Sequence, residues 1–103
     1  MTYKIVTSET FEDDLDNALK YISRRLYNPN AAKMLLKNLD NTISLIEENP
    51  MLFPLYHDDK LAKEGLRYTV ISNYLLFYKV HDTEKTVELS QFIFGNRNIT
   101  DIF

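Results

Sequence analysis

Apolar residues recur along this chain at two different periods, three-to-four in the first half and two in the second, and the change marks its organisation. Residues 3 to 7, Tyr-Lys-Ile-Val-Thr, are strand formers followed by Ser8 and Thr10, either of which can cap a helix. They predict a short first strand. Phe11, Leu15, Leu19, Ile22 and Leu26 then recur at intervals of three and four, with Asp13, Asp14, Asp16, Lys20 and Arg24 between them. That spacing predicts an amphipathic helix of about four turns. Its acids fall in the first turns and Arg24 and Arg25 in the last, as the helix dipole favours. Tyr27-Asn28-Pro29-Asn30 breaks the pattern, because proline disfavours helix at the residue before it and Asn30 can cap a new start. Ala32, Leu35, Leu39, Ile43 and Ile46 predict a second helix that stops at Asn49-Pro50. Two helices joined by so few residues fold back as a hairpin.

Residues 50 to 63 hold Pro50, Pro54, His57, Asp58 and Asp59 without a sustained period and read as a crossing loop, pinned to the body by Met51, Leu52, Phe53, Leu55 and Tyr56. Beyond it the period is two. Leu66, Tyr68 and Val70 alternate with Arg67, Thr69 and Ile71, Ser72-Asn73 supplies a turn, and a second strand runs from Tyr74 to Val80. His81-Asp82-Thr83-Glu84 reads as the next turn and Thr86 to Phe94 as a third strand, so the three form an antiparallel meander. The middle strand is apolar on both parities, Leu75 and Phe77 as well as Leu76 and Val80, which places it inside the sheet with both faces covered. The expected fold is α+β: an N-terminal strand and helical hairpin packed on a mainly antiparallel sheet, in one domain spanning residues 1–103.

Composition narrows the functional classes. The chain has no cysteine, which excludes disulfides, thiolate metal sites and thiol catalysis. No stretch approaches the roughly 20 apolar residues of a spanning helix, and the first residues lack a signal-peptide pattern, so a cytoplasmic protein without membrane contact is expected. Net charge is −3 and the isoelectric point about 5.3, a poor starting point for gripping a phosphate backbone. The acids are uneven, however. Glu9, Glu12, Asp13, Asp14 and Asp16 share one short helical segment, whereas residues 60 to 103 carry six basic and five acidic side chains.

Several local features, taken together, carry a family resemblance. Leu66-Arg67-Tyr68, then Asn73-Tyr74-Leu75-Leu76-Phe77-Tyr78-Lys79-Val80, and finally Phe94-Gly95-Asn96-Arg97-Asn98 follow a strand and a helical hairpin ending near Asn-Pro. In this the chain resembles the RelE/ParE toxins over nearly its whole length. The resemblance implies a toxin encoded beside an unstable antitoxin that binds and silences it. It also implies one of two targets: members of the RelE branch enter the ribosome and cut messenger RNA, whereas members of the ParE branch inhibit DNA gyrase.

The residues discriminate between these branches. Cutting RNA through its 2′-hydroxyl requires a proton acceptor, a proton donor for the leaving oxygen, and positive charge on the phosphate. Arg67 and Arg97 occupy positions where the nuclease branch places functional arginines and supply only the last of these, since a guanidinium does not accept a proton. The bland alternative makes Arg67 a solvated strand arginine and Arg97 a surface or antitoxin contact. His81 falls in a turn. His57 lies beside Asp58 and Asp59 without a third ligand at recognisable spacing, so the segment reads as a polar loop, and neither metal nor cofactor is expected. Tyr74 and Tyr78 read as packing residues, while Tyr68 is a candidate for stacking or target contact. Lys60 and Lys63 are only loose candidates for the lysines that nuclease members carry nearby. Where that branch ends its C-terminal motif in a proton-transferring His or Tyr, this chain has Arg97-Asn98-Ile99.

The ranking follows from that absence and from the acidic charge. The first expectation is a ParE-like block of DNA gyrase, with Arg97, Asn98, Tyr68 and Phe103 contacting the target. The alternative is a RelE-like endonuclease acting on ribosome and mRNA, with Arg67 and Arg97 on the scissile phosphate. A third is a catalytically inactive interaction module. The partner in every case is a cognate antitoxin, whose amphipathic helix would enter a groove beside the sheet. The apolar tail residues Ile99, Ile102 and Phe103 serve equally as a contact or as a helical turn on the sheet.

Overall fold

The computed structural model describes residues 2–95. Strand β1 (Lys4–Thr7) leads into helix α1 (Glu9–Lys20), which widens into a π-helical turn (Tyr21–Arg25) before helix α2 (Pro29–Glu48). Of the two candidate caps Ser8 is the one used: its hydroxyl accepts from the Phe11 N–H at 3.0 Å. The second helix is capped by Asn28, whose side chain accepts from the Ala31 N–H at 3.1 Å, and not by Asn30. The reason is Pro29, which stands at the first helical position, where its fixed φ is already helical and its missing N–H costs nothing.

The first helix departs from its expected length for a local reason. The Ser23 hydroxyl donates to the Leu19 carbonyl at 2.8 Å, competing with the helical ladder, and the Leu26 N–H reaches back five residues to Tyr21 at 3.2 Å. A wider turn rotates the following positions off the apolar stripe. Ile22 still packs against the core, whereas Leu26 is 55% exposed and is not part of the buried face. Tyr27 follows with a φ of 50°, a left-handed conformation uncommon outside glycine and asparagine.

The crossing loop contains an element missing from the sequence reading, a short helix α3 (Asp59–Lys63). Its punctuation is in the sequence: Asp58 caps the start by accepting from the Leu61 N–H at 3.1 Å, and Gly65, at φ 81°, takes the left-handed residue after its end. Strands β2 (Leu66–Ile71), β3 (Tyr74–His81) and β4 (Thr86–Phe94) form the expected antiparallel meander. His81 is the last residue of β3, opposite Thr86, and not a turn residue.

Sheet order is β1-β4-β3-β2, with β1 parallel to β4 at one edge. Strand β3 is therefore interior, and its consecutive residues Leu76, Phe77 and Tyr78 are all fully buried. Alternation sends Leu76 and Tyr78 under the helical hairpin, with Phe11, Ala18, Leu35, Leu39 and Ile46, while Phe77 meets Tyr56, Leu61, Leu66 and Ile93 on the other face. Between Phe77 and Tyr78 the register with β4 slips by one residue, leaving Ser90 as the bulge. Its carbonyl accepts from the Ser8 hydroxyl at 2.8 Å, so one serine joins the bulge to the start of α1.

Residues 50–56 strap the outer side of β2. The Tyr56 N–H donates to the Leu66 carbonyl at 2.8 Å and the Tyr68 N–H to Pro54 at 3.1 Å, closing the strand edge. Phe53 and Tyr56 do the pinning; Met51, Leu52 and Leu55 are about half exposed and take no part in the two core clusters. From below, the buried Tyr78 hydroxyl donates to the Pro50 carbonyl at 2.8 Å. Burial holds this phenol above its ordinary pKa, partly offset by the Phe53 backbone and the Arg67 charge.

Replacing Tyr78 by Phe strands the Pro50 carbonyl and should cost about 1–2 kcal/mol of stability in urea denaturation. The wild-type phenol holds its proton more tightly folded than unfolded. Its stabilising contribution is therefore intact below the unfolded value of about 10 and declines as pH rises past it. Urea midpoints measured across that range should fall more steeply for wild type than for Tyr78→Phe.

Candidate functional site

Neighbouring positions on a strand point to opposite faces, and this separates the two described candidates on β2. Arg67 lies on the helix-covered side, where its Nη1 donates to the Phe53 carbonyl at 2.7 Å. Its guanidinium thus holds the crossing loop from the side while Tyr78 holds it from beneath. Tyr68 lies on the other face, within an aromatic cluster that the sequence reading did not assemble. Its ring meets Tyr56 edge-on at 5.1 Å, stacks toward Phe77 at 6.3 Å and approaches His57 at 6.3 Å. His57 in turn rests on Tyr56 at 4.3 Å. The Tyr56 phenol is held above its usual pKa, chiefly by burial and then by the Tyr68 and Asp58 groups.

The immediate surroundings of Tyr68 are therefore aromatic, with Lys79, opposite Leu66, next along β3 on the same face as Phe77. Asp58, considered beside His57 as a metal partner, is committed to capping α3, and Asp59 is its first residue. His81 faces Glu88 across the β3–β4 ladder at 3.1 Å, far along the sheet from Tyr68. Lys60 and Lys63 sit on α3 and make no ion pair among the described residues. Arg97, Asn98 and Phe103 lie outside the described residues.

A second concave region lies on the helix side, where β4 runs past the end of β1. There α1 replaces the missing strand partner: the Asp14 carboxylate accepts from the Phe92 N–H at 3.0 Å. Between them opens a groove of about 310 Å³ lined by Asp14, Asn17, Ala18, Tyr21, Tyr74, Phe92 and Phe94. Tyr74 stacks on Phe92 at 4.8 Å, forming its floor, and Tyr21 and Phe94 stand half exposed at its rim. Helical and strand periodicities mark Ala18, Tyr74 and Phe92 separately as packing residues. Nothing in either period reveals that the π-helical turn brings Tyr21 to the same rim.

Residues 5–98 match the family model described as the ParE toxin of the type II toxin–antitoxin system parDE. The chain belongs to the ParE toxin family. Its fold is that of solved toxin–antitoxin structures. It is similar to a chain of the chromosomal ParDE system from P. aeruginosa, with a TM-score of 0.69, 11% identity, and coverage of 90% of this chain and 96% of that one. It is also similar to a chain of the RelBE2 toxin–antitoxin complex from Mycobacterium tuberculosis, with a TM-score of 0.64, 16% identity, and coverage of 91% and 99%. Among curated proteins, none matches the sequence. The matched stretch takes in Arg67, Tyr68, Arg97 and Asn98 of this ParE-family toxin and ends before Phe103. Among its described residues no helix is long and apolar enough to cross a membrane.

The two β2 neighbours of this ParE-family chain should respond differently to substitution. Arg67→Met removes a charged donor from the Phe53 carbonyl and is expected to lower stability by roughly 1.5–3 kcal/mol. Tyr68→Phe, whose hydroxyl makes no hydrogen bond among the described residues, should stay within about 0.5 kcal/mol of wild type. Chemical denaturation of the pair measures both.

Proposed function

We propose that this toxin arrests growth by blocking DNA gyrase in the cytoplasm and that a cognate antitoxin neutralises it. The observation that carries the gyrase reading is the position of Arg67. Arg67, at a position where the nuclease branch places a functional arginine, is bonded to the Phe53 carbonyl on the helix-covered side, with the strap of residues 50–56 beside it. On the opposite face Tyr68 lies among the rings of Tyr56, His57 and Phe77 and offers chiefly aromatic surface, with Lys79 further along β3. Such a face suits contact with a protein better than charge stabilisation on a phosphate. Tyr68, with Arg97, Asn98 and Phe103 from the C-terminal segment, is our assignment for the target contact.

For the antitoxin, the aromatic groove between α1 and the end of the sheet is the natural seat. Its apolar floor of Tyr74 and Phe92 and its polar rim of Asp14 and Asn17 fit the buried and exposed sides of an amphipathic helix. The similar solved structures are of toxin–antitoxin systems, which supports a partner of this kind.

A RelE-like nuclease is the second reading, favoured by the likeness of the fold to the RelBE2 chain. In it Arg67 and Arg97 hold the phosphate of ribosome-bound mRNA. No cofactor or metal enters either reading.

Purified toxin should inhibit supercoiling by gyrase at stoichiometric amounts, and Arg97→Ala should weaken that inhibition about tenfold or more, the loss expected of one well-placed contact. Unaffected supercoiling at excess toxin, together with cleavage of mRNA on programmed ribosomes that is lost in Arg67→Ala, would replace the first reading with the second. Harmless expression without an antitoxin would leave only an interaction module.

A further inference from the structure

The charges of this acidic chain are segregated. Residues 17–39 hold five of its twelve cations, Lys20, Arg24, Arg25, Lys33 and Lys37, and none of its fifteen acids. In the fold this segment is the closed end of the helical hairpin: the last turns of α1, the π-helical turn, and the first half of α2. At 1.5 Å per helical residue, all five cations fall within about 15 Å of the connecting turn along the helix axes. All five are exposed, and only Lys20 is ion-paired, with Asp16 at 2.8 Å; the other four make no ion pair among the described residues.

The helix dipole accounts for Lys20, Arg24 and Arg25, which close the first helix and its π-helical turn, but not for Lys33 and Lys37. Helix α2 has no acid in its first turn and no base in its last, its lysines standing near the N-terminal end and Glu47 and Glu48 at the C-terminal end. That is the reverse of what the macrodipole favours, so the helix is less stable for it. The connection carries a second cost at Tyr27, which is 88% exposed yet held at positive φ, where glycine or asparagine would be at ease. Neither packing nor local conformation calls for Lys33, Lys37 or Tyr27 there.

We propose that the closed end of the hairpin is a binding surface for the backbone of duplex DNA. Arg24, Arg25, Lys33 and Lys37 would neutralise phosphates, the Tyr27 hydroxyl would donate to another, and the positive end of α2 would face the same line of charge. A duplex supplies one negative charge per about 1.7 Å, a density that unpaired cations on two adjacent helix ends can engage together. A bilayer fits less well. Both helices spend their main apolar faces on the sheet, through Ala18, Leu35 and Leu39, and the exposed Tyr21, Leu26, Tyr27, Met34 and Leu36 are interspersed along the chain with the five cations. The inference is independent of the gyrase reading, because it concerns DNA contacted by the toxin alone.

The test is fluorescence anisotropy of a labelled duplex of arbitrary sequence, titrated with full-length toxin in the absence of gyrase. With three to four phosphate contacts, affinity should fall about 40- to 150-fold on a fourfold rise in salt. Arg24→Gln with Arg25→Gln should reduce the slope of log affinity against log salt by about 2. Lys60→Gln with Lys63→Gln removes the same charge from α3 and should leave the slope unchanged. Tyr27→Gly relieves the backbone and keeps the fold, yet should weaken binding about twofold or more through the lost phosphate bond. The proposal is overturned by absence of binding at low salt, by equal effects of the two charge-neutralised pairs, or by hairpin-dependent binding to vesicles of anionic phospholipid in place of the duplex. Supercoiling inhibition is measured separately, so neither result decides the other.

Discussion

Three consecutive residues of β3, Leu76, Phe77 and Tyr78, must all leave water, and because they alternate in direction both faces of the sheet must be covered at the same point. The rest of the fold answers that demand. The helical hairpin covers one side with Phe11, Ala18, Leu35, Leu39 and Ile46; on the other, a loop and five helical residues bring Tyr56 and Leu61 onto Phe77. The second cover is the thinner one and is fixed mainly by polar contacts. Backbone pairing to β2, the Arg67 guanidinium on Phe53 and the Tyr78 hydroxyl on Pro50 hold it in place. Hydrogen bonds of this kind contribute only about 0.5–1.5 kcal/mol each in net terms, but each would leave a buried acceptor stranded if lost.

That division gives the two β2 neighbours different work. Arg67 serves the strap, and Tyr68 presents an aromatic face on the other side of the sheet. Residues adjacent in sequence and both plausible as functional groups are kept from acting on a common ligand by the pleat. The same geometry accounts for the groove. Strand β4 outruns β1, and the exposed edge is closed by a carboxylate from α1 in place of a strand, which leaves an aromatic hollow beside Phe92.

Local irregularities concentrate around the hairpin. The Ser23 hydroxyl on the Leu19 carbonyl, the π-helical turn and the positive φ of Tyr27 follow one another within nine residues. Together they turn Leu26 and Tyr27 outward at the end of the hairpin that carries Arg24, Arg25, Lys33 and Lys37, in a molecule whose remaining charge is strongly acidic. A toxin with such a pole and an aromatic sheet face offers two chemically distinct surfaces, one suited to polyanions and one to protein.

Periodicity alone determined the α+β class, the hairpin, the meander and the interior place of β3, because burial on one face imposes repeats of 3.6 or 2 that survive in any context. A helix start at Ser8 or Thr10 and the packing roles of Tyr74 and Tyr78 were legible for similar local reasons, the structure choosing Ser8. The short helix α3 had its signals in Asp58 and Gly65, but five residues carry too little period to stand out. Other features belong to tertiary structure. The parallel pairing of β1 with β4, the bond from Arg67 to Phe53, the meeting of Tyr68 with Tyr56 and His57, and that of Tyr21 with Phe94 all join residues at least ten positions apart. No local pattern encodes such a meeting; it exists only once the loop is laid against β2 and the hairpin against the sheet.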